Sequence, residues 1–276
     1  MTTDWRNNLL SSPEVSQYSL REAFRLALDQ QGDVAAVSPG GYPLQLEVRT
    51  RRGHRFTVQL DNLFADVNRA APSKRAQLVS QLAAAALETA RAVDGEPAVP
   101  TLDQLVPTVK GQLWVDAAPA GSLAVEPLVG DLCIVYALDR AQSMAYVSWP
   151  ELERFGLDRA ALRRAALEAL RRRLPPEIGT RGDGKSLMLI AGGNYEASLI
   201  LLDEVWDQIA PSMPGDLLVC ALARDVCLVT ATGVPGGLES LEAARDRICA
   251  RGQPSNFVSR TVLRRDGRAW RPFKPN

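Results

Sequence analysis

The chain has 276 residues, of which 46% are hydrophobic and 23% charged, and its 32 basic residues are balanced by 32 acidic ones. This length leaves room for one large or two ordinary domains, each able to bury a core. A formal net charge of zero excludes a global attraction to nucleic acid or to an anionic membrane. No segment reaches the roughly 20 apolar residues that a membrane helix requires.

The N-terminus and the cysteines predict the compartment. The first residues, MTTDWRNNLLSSPEV, lack a basic region followed by an apolar run, so we expect no signal peptide. Four cysteines lie in apolar surroundings and form no CxxC pair: Cys133, Cys220, Cys227 and Cys249. Buried, reduced thiols of this kind are typical of a cytoplasmic protein.

The first third of the chain predicts a helix–hairpin–helix unit over residues 1–95. Residues 1–18 are polar and irregular, and residues 20–31 form a short helix closed by Gly32. Apolar and polar residues alternate over 44–48 and 56–60, which predicts a half-buried hairpin with Gly53 in its loop. A helix rich in alanine follows from Pro72 to about residue 92.

Residues 93–107 hold three prolines, which predicts a linker. We therefore expect the second domain to comprise residues 96–276. We expect strands over 112–115, 132–138, 144–149 and 187–191, and helices over 158–173 and 238–251. The chain then closes with a last hairpin. The fold class is therefore α+β, with a mainly antiparallel sheet covered by helices in the larger domain.

Residues 193–232 carry the largest concentration of apolar side chains. Asn194 is placed to cap an amphipathic helix that ends at Pro211. The runs LLVCALA and VCLVTAT then predict two strands in the middle of a sheet. If Arg224 and Asp225 form a two-residue turn, Cys220 faces Val229 and Cys227 faces Leu222, so the thiols do not meet.

The stretch GNYEASLILLDEVWDQI followed by PGDLLVCALARDVCLVT resembles the YtpQ-like family, domain of unknown function 1444. Further matching pieces, in the same order, are LQLEVRTRRGHRFTVQLDNLF, GDLCIVYALDRAQSMAYVSWPELERFGLDRAAL and VLRRDGRAW. The resemblance extends from about residue 21 to residue 273. It implies a bacterial protein that is soluble and not secreted. It brings no activity, cofactor or catalytic residue.

The segment GTRGDGKS, residues 179–186, matches the phosphate-loop pattern GxxxxGK[ST]. In that role the backbone amide of Gly184 would help to wrap the phosphates, Lys185 would reach them and Ser186 would hold magnesium. The pattern requires a strand before the loop and a helix after it. Here a helix and two prolines precede it and the strand-like LMLIA follows, so no helix N-terminus is expected at this loop. We interpret it as a turn entering a strand.

Two groups of charged residues are weaker candidates. The arginines of helix 158–173 and of residues 260–271 could bind nucleic acid phosphates, but the neutral chain and the lack of interleaved aromatic residues favour solvated helix faces. Asp203 and Asp207 share one face of the central helix and could begin a divalent-metal site. No third ligand stands near them, so we expect no metal.

Nucleophilic catalysis requires a base, and the only histidine, His54, lies in a hairpin loop. We therefore name no catalytic residue and no cofactor, and catalysis stays an open question. Tyr195, Glu196, Arg224 and Asp225 are polar or amphipathic groups at the rim of the apolar hairpin; they form the turn and its partners, or a small recognition patch.

The leading hypothesis is a non-catalytic cytoplasmic adaptor that binds another protein through a sheet face or edge. One alternative is a nucleotide-binding enzyme or switch that uses residues 179–186, and another is a nucleic-acid binder that uses helix 158–173. The sequence leaves the partner and the oligomeric state open.

Overall fold

The computed structural model describes residues 9–40, 43–53, 55–94, 101–140, 143–250 and 256–274. The protein has an α+β fold with antiparallel sheets, as the sequence predicted. Contacts within the chain divide it into two compact units: Met1–Val99 with Ala141–Ser143, and Pro100–Arg140 with Met144–Asn276. The sequence analysis placed the boundary after residue 95.

The first unit packs helices against a three-stranded sheet of order β1-β2-β3. The first helix, the hairpin and the alanine-rich helix were predicted, whereas β1 and α2 were not. The elements are α1 (Gln17–Asp29), β1 (Val34–Pro39), β2 (Gln45–Thr50), β3 (Arg55–Gln59), α2 (Asp61–Arg69) and α3 (Pro72–Asp94). Phe24 and Leu28 of α1 pack with Leu46 of β2 in a core that α2 and α3 also enter.

The described part of the N-terminal polar segment is docked on this unit. Leu10 and Val15 are each only 1% exposed. The guanidinium of Arg75, itself 3% exposed, donates to the carbonyl oxygens of Leu10 and Pro13 at 2.9 and 3.0 Å. A buried arginine thus satisfies the backbone of an irregular segment that has no strand or helix partners. Residues 1–8 lie outside the described residues.

The second unit contains two sheets. A six-stranded sheet has the order β13-β12-β10-β11-β9-β8, and a four-stranded sheet has the order β4-β6-β5 with β7 also paired to β6. The strands are β4 (Leu105–Gly111), β5 (Val125–Val129), β6 (Leu132–Arg140), β7 (Ser143–Tyr146), β8 (Gly179–Gly182), β9 (Leu187–Ile190), β10 (Leu217–Ala223), β11 (Val226–Ala231), β12 (Leu263–Asp266) and β13 (Ala269–Pro272).

The helices of this unit are α4 (Gln112–Asp116), α5 (Trp149–Glu153), α6 (Arg159–Arg173), α7 (Asp203–Ile209) and α8 (Gly237–Cys249), with 3₁₀ turns at Leu102–Gln104, Glu196–Leu201 and Ala210–Ser212. The strand predicted over 112–115 is wrong, because that segment is helix α4. The chain leaves the sheet after Gly111, which pairs with Leu132, and the side chain of Gln112 donates to Asp116 one helical turn later at 2.7 Å.

The prediction of one continuous helix after Asn194 is also wrong, because the segment forms two separate elements. A 3₁₀ turn and α7 meet at Leu202, whose φ of −112° and ψ of 94° are extended. The indole N–H of Trp206 donates to the carbonyl of Leu199 at 2.8 Å, and both side chains are fully buried. The break therefore lets both segments point apolar side chains into one core. Asn194 does not cap the turn, which starts after Tyr195 without a side-chain cap.

Strands β10 and β11 lie in the middle of the six-stranded sheet, and Arg224 and Asp225 form their turn, as predicted. The predicted register is wrong by one residue. Cys220 faces Leu228 and Cys227 faces Ala221, because an irregularity between Ala221 and Ala223 adds one residue to β10. All four cysteines are free thiols.

Candidate functional site

Residues 179–186 form a tight hairpin in which β8 and β9 are antiparallel and Gly182 pairs with Leu187. A Cβ atom on Gly182 would lie 2.0 Å from the carbonyl oxygen of Ser186. Gly184 has a φ of +84°, which side chains disfavour. The turn thus requires Gly184 of the phosphate-loop pattern and also Gly182, whereas a Cβ on Gly179, the other pattern glycine, would meet Ile190 at an ordinary 3.5 Å.

The carboxylate of Asp183 accepts hydrogen bonds from the backbone amides of this turn. Its Oδ1 accepts from the amides of Lys185 and Ser186 at 2.9 and 3.0 Å, and its Oδ2 accepts from the hydroxyl of Ser240 at 2.8 Å. The bond from the Ser186 amide, followed by those from Ser240 and the Lys185 amide, lowers the pKa of Asp183 to about 2. The amides that a phosphate loop would offer to a nucleotide therefore already bind a carboxylate.

The hairpin is fastened to helix α8. The hydroxyl oxygens of Ser186 and Ser240 lie 2.7 Å apart, and Ser186 is 6% exposed. Such a buried hydroxyl, held by a second serine, is not placed to hold magnesium.

The expectation that no helix begins beside this loop is wrong. Helix α8 starts at Gly237, and a Cβ atom on Gly236 would lie only 3.7 Å from Nζ of Lys185. The helix comes from about fifty residues further along the chain, so the strand–loop–helix order of the local sequence could not reveal it.

Between the hairpin and α8 lies an open cleft of about 430 Å³, called here the α8 cleft. Its lining is Asp183, Lys185, Gly236, Glu239, Ser240, Ala243 and Arg247. The α8 residues follow one face of the helix, where small side chains leave space and Arg247 closes the far end. Lys185, Glu239 and Arg247 are exposed, and among the residues that the structure describes they make no ion pair.

Of the four residues named as a possible recognition patch, two are internal. Tyr195 is 5% exposed and Glu196 is 1% exposed. The Tyr195 hydroxyl donates to Oδ2 of Asp139 at 2.6 Å, and burial raises the pKa of this phenol. Arg224 is half-buried and Asp225 is exposed in the turn. The structure brings the two pairs close, since the amide of Ala197 donates to the carbonyl of Arg224 at 3.1 Å.

The carboxylate of Glu196 is a structural acceptor. It receives the backbone amides of Ala191, Gly193 and Tyr195 at 2.8, 2.7 and 3.1 Å. The loop 191–195 has no ladder to satisfy its amides, and Glu196 supplies the acceptor from the following turn.

The arginine groups are largely occupied by acidic side chains. On α6, Arg163 pairs with Glu126 at 2.9 Å, while Arg171 pairs with Glu204 and Arg173 with Asp139. Near the C-terminus the partners of the arginines are also carboxylates: Arg260–Asp246, Arg264–Asp216, Arg265–Asp207, Arg268–Asp207 and Arg271–Asp266. Arg164 and Arg172 of α6 stay exposed.

Asp203 and Asp207 face arginine. Arg265, 7% exposed, reaches Asp207 at 2.7 Å and Asp203 at 3.5 Å. The hydrogen bond from Arg265 holds the pKa of Asp207 below its usual range. Within the described part of the chain, no three histidine, cysteine, aspartate or glutamate side chains form a group that could hold a metal ion.

The three buried thiols, those of Cys133, Cys220 and Cys227, do not add a nucleophilic centre to the site. Burial raises the pKa of Cys133 and Cys227 and raises that of Cys220 to about 12. A buried thiol in this state is not an activated nucleophile. His54 lies outside the described residues.

Sequence reasoning missed the contribution of α8, namely Gly236, Ser240 and Arg247. The local signal at this point is the Gly236–Gly237 pair before the helix predicted over 238–251, and such a pair marks a helix start without showing which segment packs beside it.

No protein-family model, curated protein or solved structure matches the chain. The resemblance to the YtpQ-like family therefore stays a prediction from the quoted residues. No helix in the described ranges combines the length and apolar content needed to cross a membrane.

Proposed function

We propose that the protein is a cytoplasmic binding protein without catalytic activity, which captures an extended acidic segment of a partner protein. The segment would pair with strand β8 and place a carboxylate in the α8 cleft. One observation carries this proposal: a fully exposed edge strand of a six-stranded sheet runs directly into a cleft whose lining holds Lys185 and Arg247 as well as Asp183 and Glu239.

The edge is suited to strand addition. All residues of β8 are exposed, and an edge strand leaves alternate backbone N–H and C=O groups without a partner. Gly179 and Gly182 place no side chain over these groups. Ile190, paired with Gly179, is 44% exposed and gives an apolar contact at the entry. Main-chain hydrogen bonds of this kind provide affinity in β-augmentation.

The charges select an acidic segment. Arg181 on β8 and Lys185 and Arg247 in the cleft are exposed cations. The carboxylate of Asp183 is already bound by two amides and a hydroxyl. A carboxylate that the partner segment places just beyond the end of β8 therefore meets Lys185 first. Complementary charge of this kind favours both the association of the two proteins and the correct register of the added strand.

The other hypotheses find less support. A nucleotide would have to displace Asp183 from the turn amides, and no strand-to-helix phosphate loop is formed at residues 179–186. A nucleic acid would have to compete with the carboxylates that pair with three of the six arginines of α6 and with the five arginines of residues 260–271.

A peptide-binding assay tests the proposal. The probe is a fluorescein-labelled peptide of alternating threonine and valine that ends in two glutamates, followed by fluorescence anisotropy. We expect Lys185→Glu and Arg247→Glu each to weaken binding about tenfold, and their combination more strongly. Arg164→Glu, which reverses an exposed charge on α6, is the matched control and leaves binding unchanged.

Two altered probes separate the two parts of the site. Replacing the glutamates by glutamines removes the charge, and N-methylation of alternate residues removes main-chain donors; each change weakens binding. Failure of the wild-type protein to bind the probe, or equal binding by all variants, contradicts the proposal. Displacement of the probe by magnesium-ATP with a rise in melting temperature would favour the nucleotide hypothesis instead.

A further inference from the structure

A second cationic site lies in the four-stranded sheet, at Lys110 of β4. This lysine is 5% exposed, and no side chain or carbonyl within the described residues accepts a hydrogen bond from it. Its Nζ lies 4.8 Å from the ring centre of Trp114 and 5.3 Å from that of Tyr146. The nitrogen is not among the fully enclosed polar atoms that lack a partner, so it is in contact with solvent.

The aromatic rings position the ammonium without satisfying its donors. Ring faces attract a cation through their quadrupole, but they accept none of the three N–H bonds as a carboxylate oxygen does. An ammonium whose stem is buried costs free energy unless its donors find acceptors. Solvent supplies these acceptors in the free protein, and a carboxylate that replaces the solvent gains a charge-assisted hydrogen bond.

The side chains that contact this cation are aromatic. Trp114 and Tyr146 have ring centres 4.9 Å apart at an interplanar angle of 58°, which fixes both rings. Leu113, the residue before Trp114 on α4, is 82% exposed. A cation that contacts two aromatic rings, with an exposed leucine on the same short helix as one of them, matches a ligand that carries a carboxylate next to a large apolar group.

We infer that Lys110, Trp114, Tyr146 and Leu113 form a binding site for a partner peptide in which a carboxylate stands beside a large apolar side chain. The carboxylate accepts from Lys110, and the apolar side chain covers Leu113 and the edge of Trp114. The site shares no residue with the α8 cleft, so it does not depend on the proposed function of that cleft.

Titration of the ¹⁵N-labelled full chain tests this inference, with the indole N–H signal of Trp114 as the readout. The probe is the dipeptide N-acetyl-leucyl-glutamate amide, and its glutamine counterpart lacks the charge. We expect the glutamate probe to shift the signal, and the glutamine probe to require about tenfold higher concentration. Lys110→Met should weaken binding of the glutamate probe until it equals binding of the glutamine probe. Lys110→Arg should retain most of the affinity for the glutamate probe.

Lys74→Met is the control, since Lys74 is an exposed lysine on α3. This variant should bind the dipeptide as the wild type does. Equal shifts by the two probes on wild-type protein would overturn the inference, and this comparison stands even where Lys110→Met fails to fold. Free 4-methylpentanoate carries the carboxylate and an apolar group without a peptide bond. If it binds more tightly than the dipeptide, the inference that the occupant is a peptide is wrong.

Discussion

Replacement of Glu196 by alanine tests whether this residue holds the loop before the central 3₁₀ turn. The substitution removes the acceptor of three backbone amides, those of Ala191, Gly193 and Tyr195. A buried donor that loses a charged acceptor costs about 1–3 kcal/mol. Water entering the space satisfies part of this loss, so we expect the free energy of unfolding to fall by about 3–5 kcal/mol.

Glutamine is the sharper variant at this position. Its carbonyl oxygen can replace Oε1, which accepts from Ala191 and Gly193, but its NH₂ group then faces the Tyr195 amide, a second donor. We expect a loss of about 1–3 kcal/mol, the cost of one unsatisfied buried donor. The measurement is urea denaturation followed by tryptophan fluorescence.

Glu239→Ala is the matched control, because Glu239 is exposed at the start of α8. A change at such a surface position stays within about 0.5 kcal/mol. If Glu196→Ala destabilises the protein no more than Glu239→Ala does, the structural role assigned to Glu196 is refuted, and its place in a recognition patch gains support.

Three further predictions concern the core, the hairpin and the thiols. Trp206→Ala should lower the free energy of unfolding by about 3–5 kcal/mol in the same urea assay, because it empties a fully buried site. Asp183 has a pKa of about 2 against an ordinary 3.8, so its contribution to stability is complete above pH 4 and is lost as the pH falls towards 2; Asp183→Asn should flatten that part of an acid-unfolding curve. With a thiol reagent, the half-buried Cys249 should react first, and the other three cysteines, which are buried, should react only on unfolding; rapid labelling of all four would contradict their burial.

The elements that could be predicted are those whose signal is local. Proline, glycine and apolar spacing identified the helices that begin at Pro72 and Arg159 and the hairpin around Arg224. The class of the fold followed from the order of these elements. β1 was missed because its sequence, VAAVSP, lacks the alternation that marked β2 and β3.

The errors arise where tertiary contacts override the local pattern. Four apolar or amide residues after Gly111 fit a strand by composition, but β4 had already completed its pairing with β6 and the chain coils into α4. The stripe of apolar residues around Leu202 fits one helix, yet the indole bond of Trp206 to Leu199 favours a break. An added residue in β10 shifted the predicted register.

The candidate site could be predicted only in part. The sequence identified residues 179–186 as a turn entering a strand, and it named Gly184, Lys185 and Ser186 only for the alternative of nucleotide binding. It could not show that Asp183 binds the turn amides, or that α8 delivers Ser240 and Arg247 to the same place. Contacts between segments more than fifty residues apart leave no periodic signal in one sequence.

Hydrogen exchange of the β8 backbone shows whether a peptide strand adds to this edge of the sheet. The protein is saturated with the threonine–valine–glutamate peptide, and amide exchange is measured by NMR with and without it. We expect exchange of the β8 amides that face away from β9 to slow by about tenfold or more, while exchange of the β13 amides at the opposite edge does not change. Peptide binding that leaves the β8 amides unprotected would contradict strand addition at this edge.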